Sequence, residues 1–281
     1  MRNILLIIMI LISNFSNALT WETNYEIAQK TALATNRFIL VDFWATWCGP
    51  CKKMDADSWS DAEVKQIMQD FVLLKVDIDI NKELAMKYSV NSIPNMFVLD
   101  ANGKKLTTFS GYQSASELKK ILLKYALSTE FVSMDLINQY KYNTFPTALR
   151  LSQKYLDYSL YVDKGLKLDV LNLSTIYLDE AKSKISKKDL DYLEKLQRLE
   201  LIKLYEYAYK FNYDKLIKKL DDNFVENNIY ESNKSFYYFL KYIGLKGTNS
   251  VQLETLEKTL NASESLSSVI TKCNKVLEKN I

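Results

Sequence analysis

Phe38-Ile39-Leu40-Val41-Asp42-Phe43-Trp44, followed after Ala45-Thr46 by Trp47-Cys48-Gly49-Pro50-Cys51-Lys52, decides how the first half of this sequence folds. The first run is short, apolar at every position but one and rich in strand formers, so it reads as a buried central strand. The exception is Asp42, a carboxylate where burial penalises charge. Pro50 belongs in the first turn of the helix that follows, where a missing N–H leaves no hydrogen bond unmade. Cys48 then falls at the leading end of that helix, with free backbone N–H groups and the positive end of the helix dipole directed at its sulfur. A thiolate is favoured there, and the thiolate is the nucleophile of disulfide exchange.

Around this stretch the chain has 281 residues, 48% hydrophobic and 25% charged, with 6 Gly, 3 Pro and 3 Cys. That length favours two domains, and the composition is globular: too little Gly and Pro for a collagen-like or low-complexity chain, too few cysteines for a disulfide-stapled miniprotein. The sequence contains no histidine. Cys-His and Ser-His catalysis and His-ligated zinc or haem are thereby excluded, since each needs an imidazole. With 37 basic residues against 34 acidic ones, spread over both halves, the chain lacks the basic patch of a nucleic-acid partner. Tyr25 to Thr35 reads as a helix with Ile27, Ala28, Ala32 and Leu33 on one face, and Asn102-Gly103 marks a hairpin turn between Met96–Leu99 and Lys105–Phe109.

Taken together these segments resemble the thioredoxin family. Val41-Asp42-Phe43-Trp44-Ala45 leading into Trp47-Cys48-Gly49-Pro50-Cys51-Lys52 is similar to its active site. Lys75-Val76-Asp77-Ile78-Asp79 resembles its next central strand, Glu83 to Tyr88 its short helix, and Ser92-Ile93-Pro94 its cis-proline loop. Gly111 and a helix over Ala115 to Tyr125 complete a pattern that covers Trp21 to Ala126. The resemblance implies an α/β thioredoxin-like domain, a central mixed sheet flanked by helices. Asp55 to Asp70, with Trp59, is similar to the secreted thioredoxin-like domains of transmembrane thiol reductants.

The resemblance also implies chemistry. Cys48 attacks a substrate disulfide, Cys51 resolves the mixed disulfide, and the redox-active Cys48–Cys51 pair serves without any other cofactor or metal. From the residues alone, a structural disulfide and a zinc half-site completed by carboxylates are the alternatives. Asp42 matches the family's buried acid, which takes the proton of the resolving cysteine, and Lys75 stands where it opposes the upward pKa shift that burial causes. Otherwise Asp42 is an exposed strand-end carboxylate. Pro94 is expected in a cis bond facing Cys48, with the Ile93 backbone pairing with substrate; Trp47, Gly49 and Pro50 are the remaining substrate contacts. Trp44 is expected to pack beneath the site, and Trp59 in the core.

Residues 1–18 have the layout of a secretory signal: Arg2, an apolar run from Ile4 to Ile12, and small residues in Ser16-Asn17-Ala18. The run is about half of what a spanning helix needs, so cleavage and a soluble chain in the bacterial periplasm are expected, a retained N-terminal anchor being the alternative. The thioredoxin-like domain is placed at 19–128 and an all-α helical domain at 129–281. Of 19 tyrosines, 15 lie beyond Ser128, and Tyr192, Leu196, Leu199, Ile202, Tyr205 and Tyr209 step by three or four. Helices are expected over Ala148–Leu160, Asp169–Ser183, Lys188–Lys210, Ser235–Tyr242 and Ser265–Glu278, with breaks near Gly165, Asn223 and Gly244 to Ser250. Tyrosines fill the helical core or line a partner groove. Cys273 sits on the apolar stripe of the last helix and reads as core.

The expected activity is thiol-disulfide oxidoreduction, reducing disulfide-containing protein substrates outside the cytoplasm. Thioredoxin-type dithiols lie near −270 mV and the periplasmic dithiol oxidant near −120 mV, a gap of about 7 kcal/mol for two electrons. A reducing pair in that compartment therefore implies a membrane-embedded thiol reductant as electron donor. The alternatives are a disulfide isomerase and a non-catalytic thioredoxin-fold binding or chaperone module acting through its helices.

Overall fold

The computed structural model describes residues 19–263 and 268–278; the expected leader over 1–18 lies outside them. In chain order the first half runs α1 (Tyr25–Thr35), β1 (Phe38–Trp44), α2 (Gly49–Asp57), α3 (Ala62–Met68), β2 (Phe71–Asp77), α4 (Lys82–Lys87), β3 (Asn95–Leu99), β4 (Lys105–Ser110) and α5 (Ala115–Tyr125). The strands form one mixed sheet ordered β2-β1-β3-β4. β1 is central and buried from Phe38 to Phe43. It pairs in parallel with β2, Asp42 opposite Lys75, and antiparallel with β3, Phe43 opposite Asn95 and Ile39 opposite Leu99. Glu22 adds a short backbone pairing to the outer edge of β2.

Local chemistry sets these boundaries. Asn24 caps α1 by accepting the Ile27 N–H, and Asn36 ends it in the left-handed region. Ala28 and Ala32 are buried as expected, but Ile27 is exposed. The second strand begins at Phe71 and ends at Asp77, whereas the expectation spanned Lys75–Asp79; the apolar run Phe71-Val72-Leu73-Leu74 carries the pairing and Ile78–Ile80 turn toward α4. The β3–β4 hairpin turns at Gly103, φ 79°, where an added Cβ would meet the hydroxyls of Tyr25 and Tyr88. Ser114 and Glu117 form a capping box at the start of α5.

The second half is helical: α6 (Ser133–Tyr142), α7 (Phe145–Tyr158), α8 (Lys164–Ser183), α9 (Tyr192–Tyr209), α10 (Tyr213–Asn223), α11 (Glu231–Gly247), α12 (Leu253–Asn261) and α13 (Ser268–Glu278). Short helices α6, α10 and α12 were not anticipated. α7 starts earlier than expected because Thr144 caps it and Pro146 sits in its first turn. The break expected near Gly165 falls between Tyr158 and Lys164, with Gly165 itself in the first turn of α8. The break expected over Gly244 to Ser250 is found after Gly247, where α11 ends. Gly244 and Gly247 lie inside the end of α11, where a Cβ at Gly244 would lie 2.6 Å from Ile217 Cδ1 of α10 and one at Gly247 would strike the Tyr213 ring. Close approach of α10 outweighs the roughly 0.5–1 kcal/mol that glycine costs inside a helix.

Two apolar cores result. The first holds the sheet and α1–α5 and continues past residue 128 into Leu136, Leu151, Tyr155, Tyr158, Val170 and Tyr177. The second lies among α7–α13, with Tyr205, Tyr209, Phe239, Tyr242 and Cys273 inside it. α7 and α8 serve both: Leu151, Tyr155 and Leu173 face the first, Ala148, Leu156, Leu171 and Leu178 the second. Tyr155, Tyr158, Tyr177, Tyr205, Tyr209, Tyr237 and Tyr242 are core, whereas Tyr140, Tyr142, Tyr161 and Tyr230 are exposed. Among the buried hydroxyls, Tyr205 and Tyr209 donate to Asp157, and Tyr242 donates to Glu257. Among the described residues no helix is long and apolar enough to cross a membrane.

Tyr155 and Tyr177 donate, at 3.1 and 2.5 Å, to Asp100 Oδ2 at the β3–β4 turn, while Asp100 Oδ1 accepts the Asn102 and Lys104 N–H groups. That turn lies beside the N-terminal end of β1, opposite the end that leads to Cys48. The helical half is thus fastened at the pole of the sheet away from the cysteines.

Candidate active site

β1 delivers the chain to Ala45, and the turn after it places Cys48 as the N-cap of α2, where its Sγ accepts the Cys51 N–H at 3.2 Å. Pro50 occupies the first turn, as expected. The two sulfurs are joined as a disulfide. Cys48, Cys51 and Ala45 form a small buried cluster against which Trp44, Ile78 and Ile93 pack. Ile93 thus reaches the sulfurs from a loop more than forty residues on, and the Ile93–Pro94 bond is cis. The Pro94 carbonyl is held by the Gly111 N–H at 2.8 Å. Trp47, Gly49 and Pro50 are exposed around the cysteines, and the Trp47 indole N–H donates to Asp79 Oδ2 at 2.8 Å.

Asp42 is buried, 2% exposed, and is not the strand-end surface carboxylate of the alternative reading. Its Oδ1 has no hydrogen-bond partner among the described residues, and its Oδ2 lies 3.8 Å from Lys75 Nζ. Burial raises its pKa to about 7; the Lys75 charge opposes the shift and the Asp55 charge adds to it. Lys75 is drawn the other way as well. It makes a close ion pair with Asp55 of α2 and lies between the rings of Trp21 and Trp44, 5.6 and 5.1 Å from their centroids. Trp59 packs edge-on against Trp21, and its buried indole N–H has no hydrogen-bond partner among the described residues. Beside this arrangement opens a cavity of about 480 Å³ lined by Trp21, Trp44, Lys75, Asp77, Ile80 and Asn81.

Asp55, Trp21 and Trp59 were not assigned to the site from the sequence. Asp55 carried one usable signal: it stands four residues after Cys51 on the same helix, hence on the same face. Cys273 lies apart from the pair, buried in the second core with its Sγ 3.5 Å from the Phe239 carbonyl oxygen.

The family model for thioredoxin matches residues 20–124. The thioredoxin of Mycoplasmoides gallisepticum is 37% identical over 90 residues, which are 32% of this chain and 86% of that protein. The chain belongs to the thioredoxin family. Thioredoxin-T of Drosophila melanogaster is 36% identical over 107 residues, 36% of this chain, and the match spans 62% of that relative's length. Among solved structures, thioredoxin NaTrxh of Nicotiana alata is 31% identical, with 36% of this chain and 84% of that one covered, at a TM-score of 0.31. A thioredoxin-family protein is a thiol-disulfide oxidoreductase that acts on disulfide-containing substrates through its cysteine pair, without a further cofactor. The helices from α6 onward lie outside the family match.

Proposed function

We propose that the reduced form of this protein donates electrons to protein disulfides outside the cytoplasm and is recharged by a membrane-embedded thiol reductant. The observation that carries the reading is Cys48 at the N-cap of α2. A negative charge at that position is stabilised by about 0.3–1 kcal/mol from the dipole, which favours the attacking thiolate.

In this reading Cys48 Sγ attacks one sulfur of the substrate disulfide, forming a mixed disulfide and expelling the other sulfur as thiolate. Asp42 takes the proton of Cys51, whose thiolate then attacks Cys48 Sγ, closing the intramolecular disulfide and releasing the second substrate thiolate. Two electrons pass from the dithiol to the substrate. An Asp42 that titrates near neutrality is suited to accept and return that proton, and Lys75 tunes it. Pro94 and the Ile93 backbone position the substrate chain, and Trp47, Gly49 and Pro50 form the surface it meets. The compartment follows from residues 1–18 read as a secretory signal, with a retained N-terminal anchor as the other outcome, and from the Gly-Pro pair between the cysteines, typical of reducing members. Such a pair is drained in an oxidising compartment unless a donor renews it.

The test is a Cys51→Ser variant expressed at full length in its own host, followed by mass identification of the mixed disulfides held on Cys48. Extracytoplasmic substrates together with one membrane thiol protein are expected. Cysteines that in-cell alkylation finds permanently oxidised in the wild type would overturn the reductive direction.

A further inference from the structure

Lys75 sits between two carboxylates, and the two contacts are unequal. It makes a close ion pair with Asp55 on α2, whereas Asp42 Oδ2 is 3.8 Å away and Asp42 Oδ1 has no hydrogen-bond partner among the described residues. The aromatic walls of Trp21 and Trp44 restrict where the ammonium can go. Around Asp42 the charged groups are Lys75 from β2 and Asp55 from α2; β3 presents Met96 in register, and Trp59 contributes only a neutral N–H. Cys51, also on α2, titrates only when reduced. Asp55 is 39% exposed on its side chain and within water's reach, whereas Asp42 is buried.

We infer that Asp55 is a positioning residue for the redox reaction: by holding the Lys75 ammonium on the solvent side, it keeps Asp42 under-compensated and able to take and return a proton. The inference deepens the proposed role of Asp42 as proton acceptor and rests on it. Two effects act in one direction. Asp55 withdraws the cation from Asp42, and its own negative charge disfavours a second one nearby. Burial alone would drive the Asp42 carboxyl upward and a fully engaged Lys75 would drive it down; the competing acid sets the balance between them.

The test follows the Asp42 carboxyl directly, by ¹³C NMR titration of the reduced protein, alongside the pH profile of substrate reduction. Asp55→Asn is expected to lower the Asp42 midpoint by roughly one unit, the low end of what an opposite charge does to a carboxyl, and to move the acid limb of the rate profile down with it. Asp55→Ser, which also removes the charge, is expected to do the same, and Asp55→Glu to restore the wild-type midpoint. Lys75→Met is expected to shift it the other way. A merely structural Asp55 would not produce shifts of opposite sign at the two positions. A midpoint in Asp55→Asn that stays put or rises overturns the inference. If Asp42→Asn leaves the pH–rate profile unchanged, the proton-acceptor reading fails instead, whatever the carboxyl titration gives.

Discussion

Two buried aspartates stand at opposite ends of the same pair of strands, and their surroundings differ. Asp100, at the turn after β3, accepts from two tyrosine hydroxyls and two backbone N–H groups. Asp42, near the cysteine end of β1, has one oxygen without a partner and an ammonium at 3.8 Å that is also paired elsewhere. Burial raises both, Asp100 to about 6 against its hydrogen bonds, Asp42 to about 7 against Lys75. A saturated carboxyl fastens two layers together; an under-satisfied one is left free to exchange a proton. Evenly good partners would make Asp42 a better anchor and a worse acid–base group.

The contrast predicts substitutions of opposite sign. Asp100→Ala leaves four donors without an acceptor, each worth about 1–3 kcal/mol, and after the burial cost of the carboxyl itself is returned a net loss of about 4 kcal/mol is expected in urea unfolding. Asp42→Ala in the oxidised protein is expected to gain roughly 2 kcal/mol at pH 8, because a carboxyl whose midpoint lies about three units high costs about 4 kcal/mol to ionise in place, less the packing that is lost. A destabilised Asp42→Ala protein would erase the distinction between the two acids.

The pH dependence sharpens it. Both midpoints are raised by folding, so each carboxyl favours the folded state while protonated. That contribution is complete below about pH 4 and is lost as pH rises through about 6 for Asp100 and about 7 for Asp42. The oxidised protein should unfold at higher urea at pH 5 than at pH 8, and Asp42→Ala should remove the part of the decline that extends toward pH 7 while keeping the earlier part. The smallest effects are expected from the hydroxyls: Tyr177→Phe, which deletes the 2.5 Å bond, should cost about 1–2 kcal/mol, and Tyr155→Phe, at 3.1 Å, about 1 kcal/mol or less. Equal losses would mean that the two hydroxyls are interchangeable at Asp100.

What could be read from the chain follows contact range. Asp42, Cys48 and Cys51 lie within ten positions, and an apolar strand running into a Pro-led helix specifies their relation locally. Lys75 and Pro94 were reachable through the family resemblance, which supplies long-range pairing that periodicity does not. Asp55 and Trp21 were missed because what they do depends on the Lys75 side chain brought in by β2. Asp100 was invisible in the same way: its hydroxyl partners are 55 and 77 residues away. The break read over Gly244 to Ser250 is present, but Gly244 itself lies inside α11: a glycine that ends a helix and one that admits a neighbouring helix have the same letter, and only the Ile217 contact separates them. Tyrosine enrichment announced a helical core without saying which acid each hydroxyl would need.

The double duty of α7 and α8 has a practical bearing on how this molecule is taken apart. A fragment ending at Ser128 would bare the β4 flank that α8 covers and strip Asp100 of both phenols, while the remainder would carry Leu151, Val170 and Leu173 on a raw exterior. Each piece would present an adhesive seam shaped for the other, so the natural place to divide the chain is not where its composition changes.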